Sequence, residues 1–216
     1  MAHKTALSNQ LRGLLFEFGI VMSKSDAALK KALPEILEDA ENGLPGGFRT
    51  ALAQIWALYL TIISELEKLS QFQHQLTLQD EQGRASSALE GVGPAGALGL
   101  KLAIGHGAHF KNGREAAACI GVTPVQHSSG GKENIGSISK LSGHKKLRSV
   151  LIQGAMAVLR HLAQREARNT KEQWLKALVQ RRGTRIAAVA LANKTVRTAW
   201  AMLSRQQEYQ APGLLA

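Results

Sequence analysis

The sequence predicts a mainly α-helical protein. Apolar residues recur at every third or fourth position in several long segments, glycine and proline cluster between those segments, and no convincing strand pattern stands out. The first helix sets Leu7, Leu11, Leu14, Leu15 and Phe18 on one face, with Lys4, Arg12 and Glu17 mostly off it. A second, shorter helix is expected to begin after Ser25 or Asp26, to break or restart at Pro34, and to end near Gly43 with the interruption LPGG. From Leu52 the steps of three and four run through Ile55, Tyr59, Ile62, Leu66 and Leu69 to Leu76, with Gln73 as the polar residue in the seam. That seam fits a coiled-coil arm through which copies of the chain would form a homo-oligomer. A hairpin of the same helix with the first one would use the same residues.

After Gly83 the stretch SALEGVGPAGALGLKLAIG reads as helix, tight Gly-Val-Gly turn, helix, with Pro94 in the first turn of the second helix. Such a helix-hairpin-helix-like segment would offer backbone N–H groups near Gly91 and Gly93 to a DNA phosphate, although an ordinary helical corner has the same form. Twelve of the 21 glycines fall between Gly91 and Gly143, so the unusual turns of the backbone are expected there. Three further helices follow over His144 to Arg165, Thr170 to Gln180 and Thr184 to Ser204, the last two separated by Arg181, Arg182 and Gly183. Trp174 and Trp200 read as core anchors, and Arg181, Arg182, Arg185, Lys194 and Arg197 as a basic surface. The expected division is a helical region with the arm over 1–83, the hairpin segment over 84–123, and a carboxy-terminal domain over 124–216.

Composition narrows the class of partner. Lys and Arg number 27 against 16 Asp and Glu, a formal charge of +11 with a pI near 10.1, which points to a polyanion. The charge is unevenly spread: residues 1–100 hold 8 cations and 11 acids, and residues 101–216 hold 19 and 5. The single Cys119, in the run AAACIGV, lacks disulfide or zinc spacing and reads as a small core residue in a reducing cytosol. The run from Leu14 to Met22 is broken by Glu17 and does not read as a signal peptide. The apolar run from Thr50 to Ser64 is short of a membrane span, so a cytoplasmic protein without a membrane partner is expected.

The densest chemistry lies in PVQHSSGGKENIGSISKLSGHKKLR, from Pro124 to Arg148. It combines the hydroxyls of Ser128 and Ser129, the glycines Gly130 and Gly131, and the cations Lys132, Lys140, Lys145, Lys146 and Arg148, with Glu133 as its only carboxylate. Hydroxyl donors, exposed N–H groups and ammonium ions are what a phosphodiester oxygen attracts; a solvated surface loop has a similar composition. A nucleotide P-loop is excluded, because the pattern would require Gly at Gln126 and Ser or Thr at Glu133. Ser129, followed by Gly130, best suits a nucleophile approached by a DNA backbone, with His127 or His144 as a candidate base. Two-metal phosphoryl transfer needs a carboxylate cluster, yet the only aspartates are Asp26, Asp39 and Asp80, all in the first half.

The strings KTALSNQLRGLLFEFGIV, LEGVGP, FKNGREAAACIGVTPVQHSSGGK, ISK, LRSVLIQGA and VALANKTVRTAWAML, in that order, resemble the insertion-sequence 110 transposase family and its 1111 subgroup. The resemblance implies a DNA recombinase in which an amino-terminal resolvase-like domain with an RNase H fold supplies Asp and Glu for magnesium. A carboxy-terminal domain supplies a serine that forms a phosphoserine link to DNA. It also implies a structured guide RNA and an active site assembled between protomers. Carried over, the serine is Ser129, with Ser128 beside it. The chain is expected to begin just after the resolvase-like domain, so no cofactor is expected on this chain alone and Mg2+ only with that domain. Glu90 stands where the resemblance leads one to expect a proline. Two other readings remain open: a non-catalytic DNA-binding and oligomerising remnant, and a helical RNA-binding module.

Overall fold

A computed structural model of the chain describes residues 2–126, 135–138, 143–210 and 213. The architecture is mainly helical, as expected, and divides into two compact units, Met1–Phe72 and Gln73–Ala216.

In the first unit, α1 (Ala2–Phe16) and α2 (Asp26–Glu38) pack with the opening turns of α3 (Gly46–Gln79). Leu11 and Leu15 of α1, Leu29 and Leu33 of α2, and Leu52 and Tyr59 of α3 are fully buried together. The Ser25 hydroxyl caps α2 by accepting from the Ala28 N–H at 3.1 Å. Lys4 pairs with Asp26 across the two helices, and its hydrogen bond holds the Asp26 carboxyl below its ordinary pKa. Arg49 closes the other end of α2, donating to the Ile36 and Leu37 carbonyls at 3.0 and 2.9 Å and to Asn42 Oδ1 at 2.8 Å.

One expectation for this unit is corrected. Helix α2 runs through Pro34 without restarting. Pro34 removes one N–H, and because Pro34 and Lys30 are both exposed, water can serve the carbonyl left without its helical partner. The seam of α3 divides. Leu52, Ile55 and Tyr59 pack within the chain against α1 and α2, as the hairpin alternative has it, whereas Leu69 is 56% exposed.

The second unit is built around one hydrophobic core to which both the 84–123 and the 124–216 stretches contribute. Helix α4 (Glu81–Ser87) is capped by Asp80, which accepts from the Gly83 N–H at 2.6 Å and also pairs with Lys101 of α5 (Pro94–Ile104). Between α4 and α5 lies the turn read from LEGVGP. Gly91 there has φ +78, and its peptide rests against α7 (Lys145–Leu162) at Gly154: a Cβ built on Gly154 would lie 1.8 Å from the Gly91 carbonyl oxygen. Both positions therefore require glycine, one for its backbone conformation and close contact, the other for close contact alone.

Helix α6 (Gly113–Ile120) opens on a capping box. Asn112 Oδ1 accepts from the Arg114 and Glu115 N–H groups at 3.0 and 3.1 Å, and Glu115 reaches back to the Lys111 N–H at 2.7 Å. Gly121 ends it in the left-handed region. Cys119 lies on the exposed face of α6, not in the core, because the buried face is Ala116, Ala117 and Ile120.

The expectation of no strand is corrected as well. β1 (Pro124–Gln126) pairs antiparallel with β2 (Ile135–Ile138), Pro124 opposite Ile138 and Gln126 opposite Ile135. The strands are too short to leave a period-two signal. Asn193 of α9 (Thr184–Arg205) anchors the start of the hairpin by donating to the Val122 carbonyl and Thr123 Oγ1, both at 3.2 Å. Helix α8 (Thr170–Arg182) turns into α9 through Gly183 at φ +83. The face of α9 bearing Ala188, Leu191, Ala192, Val196 and Ala199 is buried against the other helices, which leaves its opposite face to solvent.

Candidate nucleic-acid interface

The exposed face of α9 forms one wall of a groove of about 1480 Å³. Its position follows from the sequence. Ile186, Val189, Asn193, Arg197 and Trp200 step along α9 by three and four residues and so line one side, with Arg185 and Lys194 flanking that stripe. The α8 terminus brings Arg181 and Arg182 to the same place through the Gly183 corner. The start of α6 adds Arg114, and it comes this close because Gly113 has no side chain: a Cβ there would lie 3.1 Å from the Arg197 Cα. Pro124 of β1 and Gly136 and Ser137 of β2 complete the lining.

Six cations, Arg114, Arg181, Arg182, Arg185, Lys194 and Arg197, face this groove, and among the described residues no carboxylate lines it. Of the five acids of this half, Glu133 lies outside the described residues, Glu208 lines a neighbouring hollow, and the other three lie away from the groove. Glu172 holds Arg165 through two parallel bonds of 2.6 and 2.7 Å and accepts the Arg168 N–H at 2.7 Å. The Arg165 contact is the main reason that its pKa falls to about 2. Glu115 is turned back onto its own helix start, and Glu166 lies 3.7 Å from Lys176. The groove thus keeps its positive field, which suits a chain of phosphates.

Trp174 stands at the edge of the groove. It is 38% exposed, where a core anchor was expected, and the Lys194 Nζ sits 5.1 Å from its ring centroid. The same indole lines a second hollow of about 830 Å³ with Lys171, Lys194 and Tyr209. Trp200 fits the expectation better: its indole N–H donates to the Gly107 carbonyl at 3.1 Å, and its ring packs on the core.

The residues singled out in the sequence do not all meet at the groove. His127, Ser128, Ser129, Gly130, Gly131, Lys132 and Lys140 lie outside the described residues. Gly91 packs on α7, and Gly93 caps α5 at the surface; neither lines the groove. Lys145 and Lys146 are exposed in the first turn of α7, and His144 precedes them. Arg148 is only 8% exposed and belongs to the interior of the unit. Glu90, at the proline position, accepts from the Lys171 ammonium at 2.6 Å and the Tyr209 hydroxyl at 2.9 Å. Burial, the largest single influence on Glu90, would raise its pKa, but the hydrogen bonds from Lys171, the backbone and Tyr209 together with the Lys171 charge outweigh it and the net shift is downward. Burial in turn pushes the Tyr209 phenol up.

Arg114 was missed in the sequence reading, because only the fold brings α6 to α9. The capping box at Asn112 and Glu115 was a legible signal for its helix. Among the described residues, no group of three or more His, Cys, Asp or Glu side chains is disposed to hold a metal ion. Nor is any helix among them long and apolar enough to cross a membrane.

Comparison with known proteins gives this geometry a context. Residues 85–173 match the family model described as transposase IS116/IS110/IS902 family. The chain is 37% identical over 211 residues to a probable family 20 transposase of Pseudomonas aeruginosa, covering 97% of this chain and 61% of that protein. It is also 37% identical over 210 residues to the transposase for insertion sequence element IS1111A of Coxiella burnetii, covering 96% and 56%. A putative transposase of Sinorhizobium fredii is 34% identical over 212 residues, covering 98% and 54%. The chain therefore spans a little over half the length of these relatives.

Proposed function

We propose, from the match of residues 85–173 to the IS116/IS110/IS902 transposase family model and the likeness to insertion-sequence transposases, that the chain is the DNA-handling part of such a transposase. The observation that carries this reading is the groove with its six cations and no carboxylate among the described residues that line it, which accepts a phosphate backbone through charge and guanidinium donors. The two ends of the Ser128–Ser129 loop belong to the hairpin whose strands contribute Pro124, Gly136 and Ser137 to that groove. A strand bound there runs past the base of the serine-bearing loop.

In the catalytic reading, the Ser129 hydroxyl loses its proton to a base and its oxygen bonds to phosphorus. One deoxyribose oxygen leaves and takes up a proton, so the strand is cut and a phosphoserine ester is formed. Ser128 is the neighbouring alternative, and His127 or a carboxylate from another domain is the base. Lys132 and Lys140 neutralise the phosphate in this reading, joined by the groove arginines. Magnesium would be held by carboxylates of a resolvase-like domain; the acids of the described residues do not group for it. A guide RNA and assembly through the exposed end of the α3 seam belong to the same proposal.

That scattering of the acids also favours a second reading, in which the chain binds DNA and assembles with other copies but does not cut. The test is to trap a covalent protein–DNA adduct on a denaturing gel, using nicked element-end DNA and magnesium, with the chain alone and with a separately made resolvase-like domain. The catalytic reading expects an adduct that vanishes in Ser129→Ala while binding persists. An adduct unchanged in Ser129→Ala refutes that residue's role. Binding without any adduct in either mixture selects the second reading.

A further inference from the structure

We infer that Trp174 is a stacking platform for an unpaired nucleobase, so that the groove holds DNA with a base out of its duplex at this point. The inference rests on the reading of the groove as a nucleic-acid interface and adds the state of the DNA.

Four observations support it. The Trp174 indole is 38% exposed although its helix has apolar positions, Leu175 and Leu178, that are buried beside it. A tryptophan that served only packing would hide its large ring with them. The indole also lines both hollows, so it forms a shared edge between the arginine-rich groove and a second one lined by Glu208 and by Lys171, which is paired with Glu90. Lys194 Nζ lies over one face of the ring, 5.1 Å from its centroid, so a stacked base takes the other face or displaces the ammonium, which then meets the neighbouring phosphate. Finally, the indole belongs to the same surface as Arg181 and Arg182, one to two turns further along α8. An aromatic face flanked by cations is the arrangement that holds single strands without reading their sequence.

A duplex shields its base faces by stacking them on one another, so a stacking residue contributes to binding only where a base is unpaired. Strand exchange between two duplexes breaks base pairs, which gives such a residue a use. The arginines, by contrast, act on phosphates whether or not the bases are paired.

The experiment measures the affinity of the full-length chain for a single-stranded oligothymidylate and for a blunt duplex of equal length, in wild type, Trp174→Ala, Trp174→Phe and Arg181→Ala/Arg182→Ala. Thermal melting of each variant checks that it is folded. Trp174→Ala is expected to weaken single-strand binding about ten-fold with the duplex nearly unchanged, and Trp174→Phe to restore much of the loss. Quenching of tryptophan emission by the oligothymidylate should largely disappear in Trp174→Phe. If the arginine variant weakens both DNAs while Trp174→Ala weakens neither, or weakens both equally, stacking is overturned and the groove reading stands. If the arginine variant changes neither, the groove reading falls and the inference falls with it.

Discussion

Replacing Gly154 with alanine tests the packing of the second unit at its tightest point. In the interior of a helix such a change normally stabilises by about 1 kcal/mol, because alanine is the better helix former. Here the new Cβ would start 1.8 Å from the Gly91 carbonyl oxygen and 2.9 Å from its carbonyl carbon. Reaching the roughly 3 Å of a tight contact needs a displacement of about 1.2 Å, and the opposing atoms are backbone that no rotamer change can remove. Overpacking of this kind costs about 1–3 kcal/mol, and an overlap with backbone belongs at the upper end. The net loss is therefore about 2 kcal/mol, equivalent to a 30-fold rise in the opening equilibrium. Hydrogen exchange read by mass spectrometry on the full chain reports it locally: the α7 amides should exchange about 30-fold faster. Gly13 in α1 is the contrasting site, since a Cβ there meets nothing within 4 Å, and Gly13→Ala should slow exchange of its own helix. Unchanged or slower α7 exchange in Gly154→Ala would refute the close crossing of the turn on α7.

Other outcomes follow from the same geometry. Glu172→Gln should flatten the acid limb of stability. The folded pKa of about 2 lies below the ordinary 4.5, so the Arg165 contact stabilises the fold fully above pH 4.5 and loses that contribution as pH falls toward 2. Thermal melts between pH 2 and 5 check this, and a variant with the wild-type slope would contradict it. Asn193→Ala removes both hydrogen bonds that hold the hairpin start to α9. It should cost about 1 kcal/mol or more, with faster exchange in β1 and little change in α1. Tyr209→Phe leaves Glu90 with Lys171 alone and should destabilise by about 1 kcal/mol in urea titration. Arg185→Ala should lower the salt slope of DNA binding by about 0.9 if its guanidinium neutralises one phosphate; an unchanged slope would remove it from the interface.

The helices α1, α7 and α9 were legible because each carries a long periodic apolar face, and such faces survive without knowledge of their partners. The Gly-Val-Gly turn was legible for the same local reason, but its purpose was not. A sequence displays Gly91 and cannot display Gly154 across from it, so a seat for phosphate and a close helix crossing looked alike. Arg148 illustrates the same limit, since a cation in a basic stretch reads as surface until the fold turns it inward. Pro34 misled because its cost depends on exposure, which is set by tertiary packing. The groove was half visible: Arg181 to Arg197 stood out as basic, whereas Arg114 joins them only because α6 meets α9 about 70 residues away.

The placement of the acids away from the groove also bears on how firmly the empty molecule holds together. Like charges gathered around one hollow repel, and with no carboxylate among the described residues that line it, ions from solution relieve that repulsion. The unoccupied fold is consequently under an outward pressure that grows as salt is withdrawn. A bound polyanion reverses that pressure and stabilises the fold through its preference for the native state. The melting temperature of the chain is then itself a gauge of whether the groove is filled, lowest in dilute buffer and highest when it is loaded.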